Sequence, residues 1–180
     1  MKKSTTLLFF CLLTFSAIAQ ERRLALIIGN GAYNNVSVSA LPNPVPDAKK
    51  MENALRECKF DIFDNRILQN ANKKTMRESL TRFAQSLKNY DVGLIFYAGH
   101  GINVKGQNYF VPIDFDVNTG MSADLNEANA PDDCISLENA QTILRTAGEY
   151  NKSYIIISDA CRNNPFRSLK RDIIDRKSVV

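Results

Sequence analysis

The apolar residues of this chain fall into short runs that alternate with stretches of helical periodicity. The run Leu24–Ile28 ends at a Gly-Asn-Gly segment, and three further runs follow at Phe60–Phe63, Val92–Tyr97 and Tyr154–Ser158. Each run has the length of a buried strand and is bounded by glycine or polar residues. Between the runs, apolar residues recur every three to four positions, as they do on one face of an amphipathic helix. The pattern therefore predicts strands that alternate with helices.

Three helices are predicted between these strands. The first begins near Pro46 and Asp47, because proline suits the first turn and a carboxylate is stabilised at the positive end of a helix. The second covers residues 73–88 and the third covers residues 136–147. Cys58 lies on the apolar stripe of the first helix, and this favours a place in the core over a reactive role.

The alternation of elements predicts the fold class. Strands that are apolar along their whole length indicate a mostly parallel sheet with helices on both faces, which is an α/β three-layer sandwich. The segment Lys105-Gly106-Gln107 predicts a hairpin turn before a short strand at Tyr109–Val111. Residues 115–134 are predicted to form a long acidic loop.

The first 19 residues have the composition of a cleavable signal peptide. Lys2 and Lys3 precede an apolar stretch at residues 7–15 that is too short to span a bilayer, and small residues follow as far as Ala19. We expect cleavage after Ala19 and one folded domain at residues 20–180, long enough for a sizeable core. The expected protein is secreted or periplasmic, with no stable membrane anchor after cleavage. An uncleaved anchor is the alternative.

The charge of the chain argues against a nucleic-acid partner. The formal net charge is +4, and removal of Lys2 and Lys3 takes it from +4 to +2. A domain that binds nucleic acid usually carries a much stronger positive charge on one face. A modest group of basic residues near the C-terminus is expected to be solvated.

The cysteine content limits the chemistry. Of four cysteines, Cys11 lies in the predicted signal peptide, which leaves Cys58, Cys134 and Cys161. An odd number leaves at least one thiol unpaired within the molecule, and the sequence does not determine whether Cys58 and Cys134 pair. With one histidine and no Cys-x-x-Cys, the chain has no metal-ligand spacing of the zinc type.

The only histidine, His100, and Cys161 each follow an apolar run, in Phe96–Gly101 and Asp159–Arg162. Crevices form at the carboxyl ends of parallel strands, so both side chains reach one edge if their strands are neighbours. We predict Cys161 as a nucleophile, His100 as its acid-base partner, and the amides of Gly101 and Cys161 as oxyanion donors. Taken singly, each residue also fits a structural role, either a capping histidine or a core cysteine.

These motifs together resemble the caspase-like cysteine peptidases, in the metacaspase and bacterial caspase-like branch. The resemblance covers about residues 22–166 and rests on four stretches: Arg23–Asn30, Asp47-Ala48 at a helix start, Phe96–Gly101 and Asp159–Arg162. Caspases carry Gln-Ala-Cys-x-Gly at the nucleophile, whereas Asp-Ala-Cys is the form seen in metacaspases. The resemblance implies a caspase-type fold and a dyad of Cys161 and His100, with no organic cofactor.

The resemblance also implies specificity for a basic residue. In metacaspases, acidic residues at the positions of Asp47 and Asp159 line the pocket for the residue before the scissile bond. Two carboxylates select a cation, so we expect cleavage after Arg or Lys in a peptide or protein substrate. The alternatives are that Asp47 only stabilises a helix start and that Asp159 only forms a turn. The family often has a small hydroxyl residue where this chain has Ala98.

Calcium is a possible activator on the same grounds. Some metacaspases bind calcium through acidic residues that match Asp114, Asp132 and Asp133, but a further acidic position falls on Ser168. Calcium prefers six to eight oxygen ligands, so three carboxylates need help from water or carbonyl groups. The alternative for Asp132 and Asp133 is a solvated loop before a helix.

The sequence after Cys161 shapes the remaining expectations. Caspase-like folds normally add two strands and a helix after the nucleophile, whereas 19 residues follow Cys161 here. We expect a catalytic domain without this region, and an open sheet edge at which copies of the chain can self-associate. The predicted function is an exported cysteine endopeptidase that cleaves after Arg or Lys. The alternatives are a catalytically inactive caspase-fold binding or scaffold protein, and a Cys-His hydrolase or transferase acting on a non-peptide acyl substrate.

Overall fold

The computed structural model describes residues 20–33, 38–116, 128, 131–147 and 152–161, with residue 161 described for its backbone only. The predicted signal peptide, most of the predicted acidic loop and Ser168 lie outside the described residues. Within the described part, no helix is long and apolar enough to cross a membrane.

The described residues form one mixed sheet of seven strands. The strands are β1 (Arg23–Gly29), β2 (Phe60–Ile62), β3 (Leu68–Gln69), β4 (Val92–Val104), β5 (Gln107–Phe110), β6 (Ile135–Ser136) and β7 (Ser153–Cys161). β1 is parallel to β2 and β3 and also to β4, and β4 is parallel to β7. β5 and β6 continue the sheet in antiparallel fashion. The parallel centre agrees with the uninterrupted apolar runs.

Helices cover both faces of this sheet. They are α1 (Pro44–Glu57), α2 (Lys73–Ser86) and α3 (Leu137–Ala147). On one face, Ala48 and Leu55 of α1 pack against apolar side chains of β1 and β4. On the other face, α2 and α3 bury a stripe that comprises Met76, Leu80, Phe83, Ala140 and Leu144. The three layers confirm the predicted α/β sandwich.

The ends of α1 differ from the prediction. The helix begins at Pro44, with two prolines in its first turn, so it starts before the predicted Pro46. It ends at Glu57, and Cys58 is its C-cap and is exposed. The prediction that Cys58 fills the core is wrong, because the helical periodicity that would bury it stops one residue earlier. Cys58 and Cys134 are both free thiols.

β4 is longer than predicted and changes partner along its length. It passes the predicted end at Tyr97 and continues through His100 to Val104, so His100 lies inside a strand and not at its tip. Residues 92–100 pair with β7, whereas residues 101–104 pair with β5. The predicted turn is observed, with φ angles of 50° at Lys105 and 86° at Gly106. Two successive positive φ angles are typical of a two-residue hairpin turn.

One face of β7 is open within the described part of the chain. Tyr154 and Ile156 pack against the core, but Ile155 and Ile157 on the opposite face are 42% and 37% exposed. The uninterrupted apolar run predicted burial on both faces, and this expectation fails for β7. α1 packs mainly against β1 and β4, and the outer side chains Ile155 and Ile157 of β7 are left exposed.

Candidate active site

The sheet register brings the predicted dyad residues to neighbouring backbone positions. In the parallel pairing of β4 with β7, His100 and Cys161 are Cα partners. Paired strands lie about 4.8 Å apart, so the imidazole and the thiol belong to adjacent points of the backbone. The expectation that the two motif-bearing strands are neighbours is therefore met.

The imidazole of His100 is held by a backbone carbonyl. Its Nε2 lies 2.8 Å from the Ser39 carbonyl oxygen. A carbonyl oxygen can only accept a hydrogen bond, so this contact requires a hydrogen on Nε2 and, in the neutral ring, leaves Nδ1 with a free lone pair. The ring also meets the Tyr33 ring edge-on, with 4.7 Å between the centroids. This geometry suits a base that takes a proton at Nδ1.

Gly101 lies where β4 begins its pairing with β5. Its partner is Phe110, and the Val111 N–H donates to the His100 carbonyl at 3.0 Å. In an antiparallel ladder, a bond at the neighbouring pair makes Gly101–Phe110 a non-hydrogen-bonded pair. The Gly101 N–H therefore points away from β5. The predicted second oxyanion donor is the backbone amide of Cys161, on the neighbouring strand.

The two predicted specificity carboxylates line one pocket. A cavity of about 170 Å³ is bordered by Asp47 and Asp159 together with Ala98 and Gly99. Asp47 comes from the first turn of α1, and Asp159 is the β7 partner of Ala98. The chain therefore brings together the residues named from the metacaspase resemblance. The carboxylate of Asp47 already forms an ion pair with Lys50, whose Nζ lies 3.0 Å from its Oδ1.

A larger groove elsewhere is not built from the strands that carry the predicted dyad. A cavity of about 790 Å³ runs along α2 and is bordered by Lys73, Arg77 and Arg82 among others. No residue of β4 or β7 is among its described lining residues, whereas Ala98 and Gly99 of β4 and Asp159 of β7 border the small pocket. The small pocket is therefore the candidate substrate site, in spite of its volume.

The three aspartates proposed for calcium do not form a described ion site. Asp114 accepts a hydrogen bond from the backbone N–H of Lys73 at 2.8 Å, at the start of α2. Asp132 and Asp133 are exposed within the helical residues 131–133. Among the described residues, no group of three or more His, Cys, Asp or Glu side chains could hold a metal ion. Calcium activation stays a prediction.

The other described cysteines are poor candidates for the nucleophile. Cys134 is buried, and burial raises the pKa of its thiol, which disfavours the reactive thiolate. Cys58 lies at the end of α1 opposite to Asp47, about 17 Å away along a helix that rises 1.5 Å per residue. Cys161 is thus the cysteine whose backbone lies beside the only histidine.

Three residues at this site were not identified from the sequence: Ser39, Tyr33 and Tyr97. Ser39 contributes a main-chain oxygen, for which its side chain carries no signal. Tyr97 lies in the apolar run Val92–Tyr97, which predicts a strand and no polar role, although its hydroxyl lies 2.7 Å from the His100 carbonyl. A buried phenol needs a hydrogen-bond partner, and this rule is the signal that could have pointed to Tyr97.

Comparisons with known proteins agree with the observed fold. Residues 22–178 match the family model Peptidase_C14, described as a caspase domain. The chain is also similar to the mucosa-associated lymphoid tissue lymphoma translocation protein 1 of Homo sapiens, with 32% identity over 92 residues, which are 51% of this chain and 11% of that protein. Its Mus musculus homolog is 30% identical over 92 residues, 51% of this chain and 10% of that protein. The matched region is thus only about a tenth of each relative's length.

Proposed function

Because the chain belongs to the caspase-domain family of peptidases, we propose that it is a cysteine endopeptidase with Cys161 as nucleophile and His100 as acid-base. The observation that carries this proposal is the β4–β7 register, in which residues 100 and 161 are partners. The contact between His100 Nε2 and the Ser39 carbonyl supports it, because it leaves Nδ1 as the basic nitrogen.

The proposed reaction is an acyl transfer to sulfur. Nδ1 of His100 takes the thiol proton, and the thiolate of Cys161 attacks the peptide carbonyl. The amides of Gly101 and Cys161 donate to the oxyanion, each contributing about 3 kcal/mol in comparable sites. The imidazolium then gives its proton to the leaving amine, and water hydrolyses the thioester. The Ser39 carbonyl stabilises the imidazolium throughout.

The proposed specificity is for Arg or Lys before the cleaved bond. Asp47 and Asp159 border the same pocket, and two carboxylates favour a cationic side chain and repel an acidic one. Ala98 forms part of the pocket wall, at a position where the resembled family often has a hydroxyl residue. Among the described lining residues, Asp47 and Asp159 are the charged ones that a cationic side chain could contact.

The setting of the enzyme is also a proposal. We propose a secreted or periplasmic protein that is released by signal cleavage. The proposed chemistry needs no organic cofactor, and calcium is retained as an optional activator. The expected partners are peptides or proteins with basic residues, and nucleic acid is not among them. An N-terminal sequence determination on the exported protein that begins at Gln20 would support cleavage, whereas Met1 would contradict it.

The test uses fluorogenic peptides that end in Arg or Asp, under reducing conditions, with and without calcium. We expect hydrolysis of the Arg peptide only, loss of activity in Cys161→Ala, and full activity in the matched control Cys58→Ala. Equal inertness of all three proteins with every peptide would favour the binding or scaffold alternative. Turnover that is indifferent to the Arg would contradict the pocket assignment.

Self-association at β7 also stays a prediction. Ile155 and Ile157 are exposed on one face of this strand, and apolar strands at a sheet edge are prone to pair with another chain. Sedimentation velocity over a concentration series is expected to show a dimer that Ile157→Lys weakens. A wild-type protein that stays monomeric throughout the series would contradict this expectation.

A further inference from the structure

The backbone of His100 does not complete the ladder between β4 and β5. One bond is regular, from Val111 N–H to the His100 carbonyl at 3.0 Å. The reciprocal bond is not, because the His100 N–H donates to the hydroxyl of Tyr33 at 3.0 Å, and this hydroxyl donates to the Val111 carbonyl at 3.1 Å. A regular antiparallel pair would exchange both bonds directly. The Tyr33 hydroxyl thus bridges the two strands beside His100.

A second phenol holds the other side of the same peptide. The Tyr97 hydroxyl lies 2.7 Å from the His100 carbonyl, 2.9 Å from the Val111 carbonyl and 3.3 Å from the Tyr33 hydroxyl. Each hydroxyl has one hydrogen, so the pair serves these carbonyl oxygens with two hydrogens in total. His100 is therefore held at its N–H by one tyrosine and at its carbonyl by the other.

Gly99 leaves the space that both hydroxyls occupy. A Cβ at position 99 would lie 2.5 Å from the Tyr97 hydroxyl and 2.8 Å from the Tyr33 hydroxyl. Both phenols are buried, and burial raises the pKa of Tyr33 and, more strongly, that of Tyr97. Both hydroxyls therefore stay protonated, and remain donors, over the pH range in which a histidine titrates.

Tyr33 also contacts the imidazole itself. Its ring stands edge-on to the His100 ring at 4.7 Å between centroids, on a ring that Ser39 holds through Nε2. The same tyrosine thus touches the backbone N–H and the side chain of His100. A change at the Tyr33 hydroxyl is transmitted to the imidazole through the peptide that carries it.

We propose that Tyr33 and Tyr97 are positioning residues, whose hydroxyls fix the His100 peptide so that its imidazole keeps the Nε2–Ser39 contact and presents Nδ1 toward position 161. Their catalytic importance rests on the proposed peptidase function. Their effect on the orientation of the ring does not, and it can be measured in an inactive protein.

The test compares Tyr33→Phe and Tyr97→Phe with the matched control Tyr109→Phe. The Tyr109 hydroxyl donates to Gln107 Oε1 at 2.8 Å, and Tyr109 belongs to the same apolar cluster as Tyr33. His100 is the only histidine in the chain, so the ring 15N signals report it alone. Wild type and Tyr109→Phe are expected to show the Nε2–H tautomer. Tyr33→Phe and Tyr97→Phe are expected to show averaged tautomers, with kcat lowered about 10- to 100-fold and KM unchanged.

The result that overturns the proposal is a normal tautomer signal and a normal kcat in both tyrosine variants, with folding checked by circular dichroism. An equal response in Tyr109→Phe would overturn it as well, because the effect would then be general to buried phenols. If one variant fails to fold, the other decides. Peptidase inactivity of the wild type refutes the proposed function, and in that case the NMR comparison decides the positioning role alone.

Discussion

The Lys50–Asp47 ion pair allows a quantitative test of the specificity pocket. Lys50 Nζ lies 3.0 Å from Asp47 Oδ1, and the two side chains are 78% and 33% exposed. Asp47 borders the pocket proposed for Arg or Lys. A substrate cation that binds this carboxylate must therefore compete with Lys50, and the substitution Lys50→Gln removes the competitor without removing the carboxylate.

The exposure of the pair sets the expected magnitude. Exposed ion pairs contribute about 0.2–1 kcal/mol, and about 1.4 kcal/mol corresponds to tenfold in affinity, so KM for an Arg peptide is expected to fall about 1.4- to 5-fold. The high exposure of Lys50 favours the lower part of this range. kcat is expected to stay unchanged, because the freed carboxylate binds the ground state and the transition state alike.

The assay is steady-state hydrolysis of an Arg peptide and of a peptide with an uncharged residue at the same position. Lys49→Gln is the matched control, since Lys49 is on the same helix but borders a different cavity, with Arg66 and Gln69. Only Lys50→Gln with the Arg peptide should show a lower KM. An equal effect of both variants would reduce the result to long-range charge, and a raised KM would refute the competition argument.

Three further predictions concern Asp159, Gly99 and Cys134. Asp159→Asn removes one pocket carboxylate, and since hydrogen bonds to charged groups contribute about 1.5–3 kcal/mol, kcat/KM for Arg peptides is expected to fall about 10- to 100-fold, with no change for uncharged peptides. Gly99→Ala drives a Cβ to 2.5 Å from the Tyr97 hydroxyl, so urea unfolding should show a loss of about 1–3 kcal/mol, and an unchanged midpoint would contradict the contact. Burial raises the pKa of the Cys134 thiol, so the folded state favours the protonated thiol. This contribution to stability is full below about pH 8.5, the ordinary pKa of an unfolded thiol, and is lost as the pH rises above it. The urea midpoint should therefore fall less steeply between neutral and alkaline pH in Cys134→Ala than in the wild type, and equal slopes in the two proteins would refute this.

The parallel centre of the sheet was predictable because burial on two faces leaves a plain signature. Leu24–Ile28 and Val92–Tyr97 are apolar without alternation, and both are covered on each face by packed side chains. β7 has the same signature, but one of its faces is exposed. An apolar run shows that a strand can be buried on both faces, but it does not show which helix packs against it. The local sequence of β7 therefore could not predict that one of its faces is exposed.

The extension of β4 was not predictable for a related reason. Residues 99–101 comprise two glycines around a histidine, a composition that predicts the end of a strand. The strand continues because β5 supplies partners from Gly101 to Val104. This pairing is a tertiary property, and it moves His100 from a strand tip to the point where the parallel and antiparallel parts of the sheet meet. The contacts that Ser39 and Tyr33 make with His100 depend on this position of His100 in the sheet. The sequence pattern around Ser39 and Tyr33 does not predict these contacts.

A single register accounts for the proposed pocket and the proposed dyad together. Ala98 pairs with Asp159, and two residues further along the same ladder His100 pairs with Cys161. Two residues of a strand span about 6.6 Å, so the pocket carboxylate and the nucleophile position are one strand repeat apart. We therefore expect a substrate residue whose side chain enters the proposed pocket to place its own carbonyl near position 161. A slip of one residue between β4 and β7 would remove both pairings at once and send alternate side chains to the opposite face. The proposed specificity and the proposed chemistry of this site therefore depend on the same strand pair.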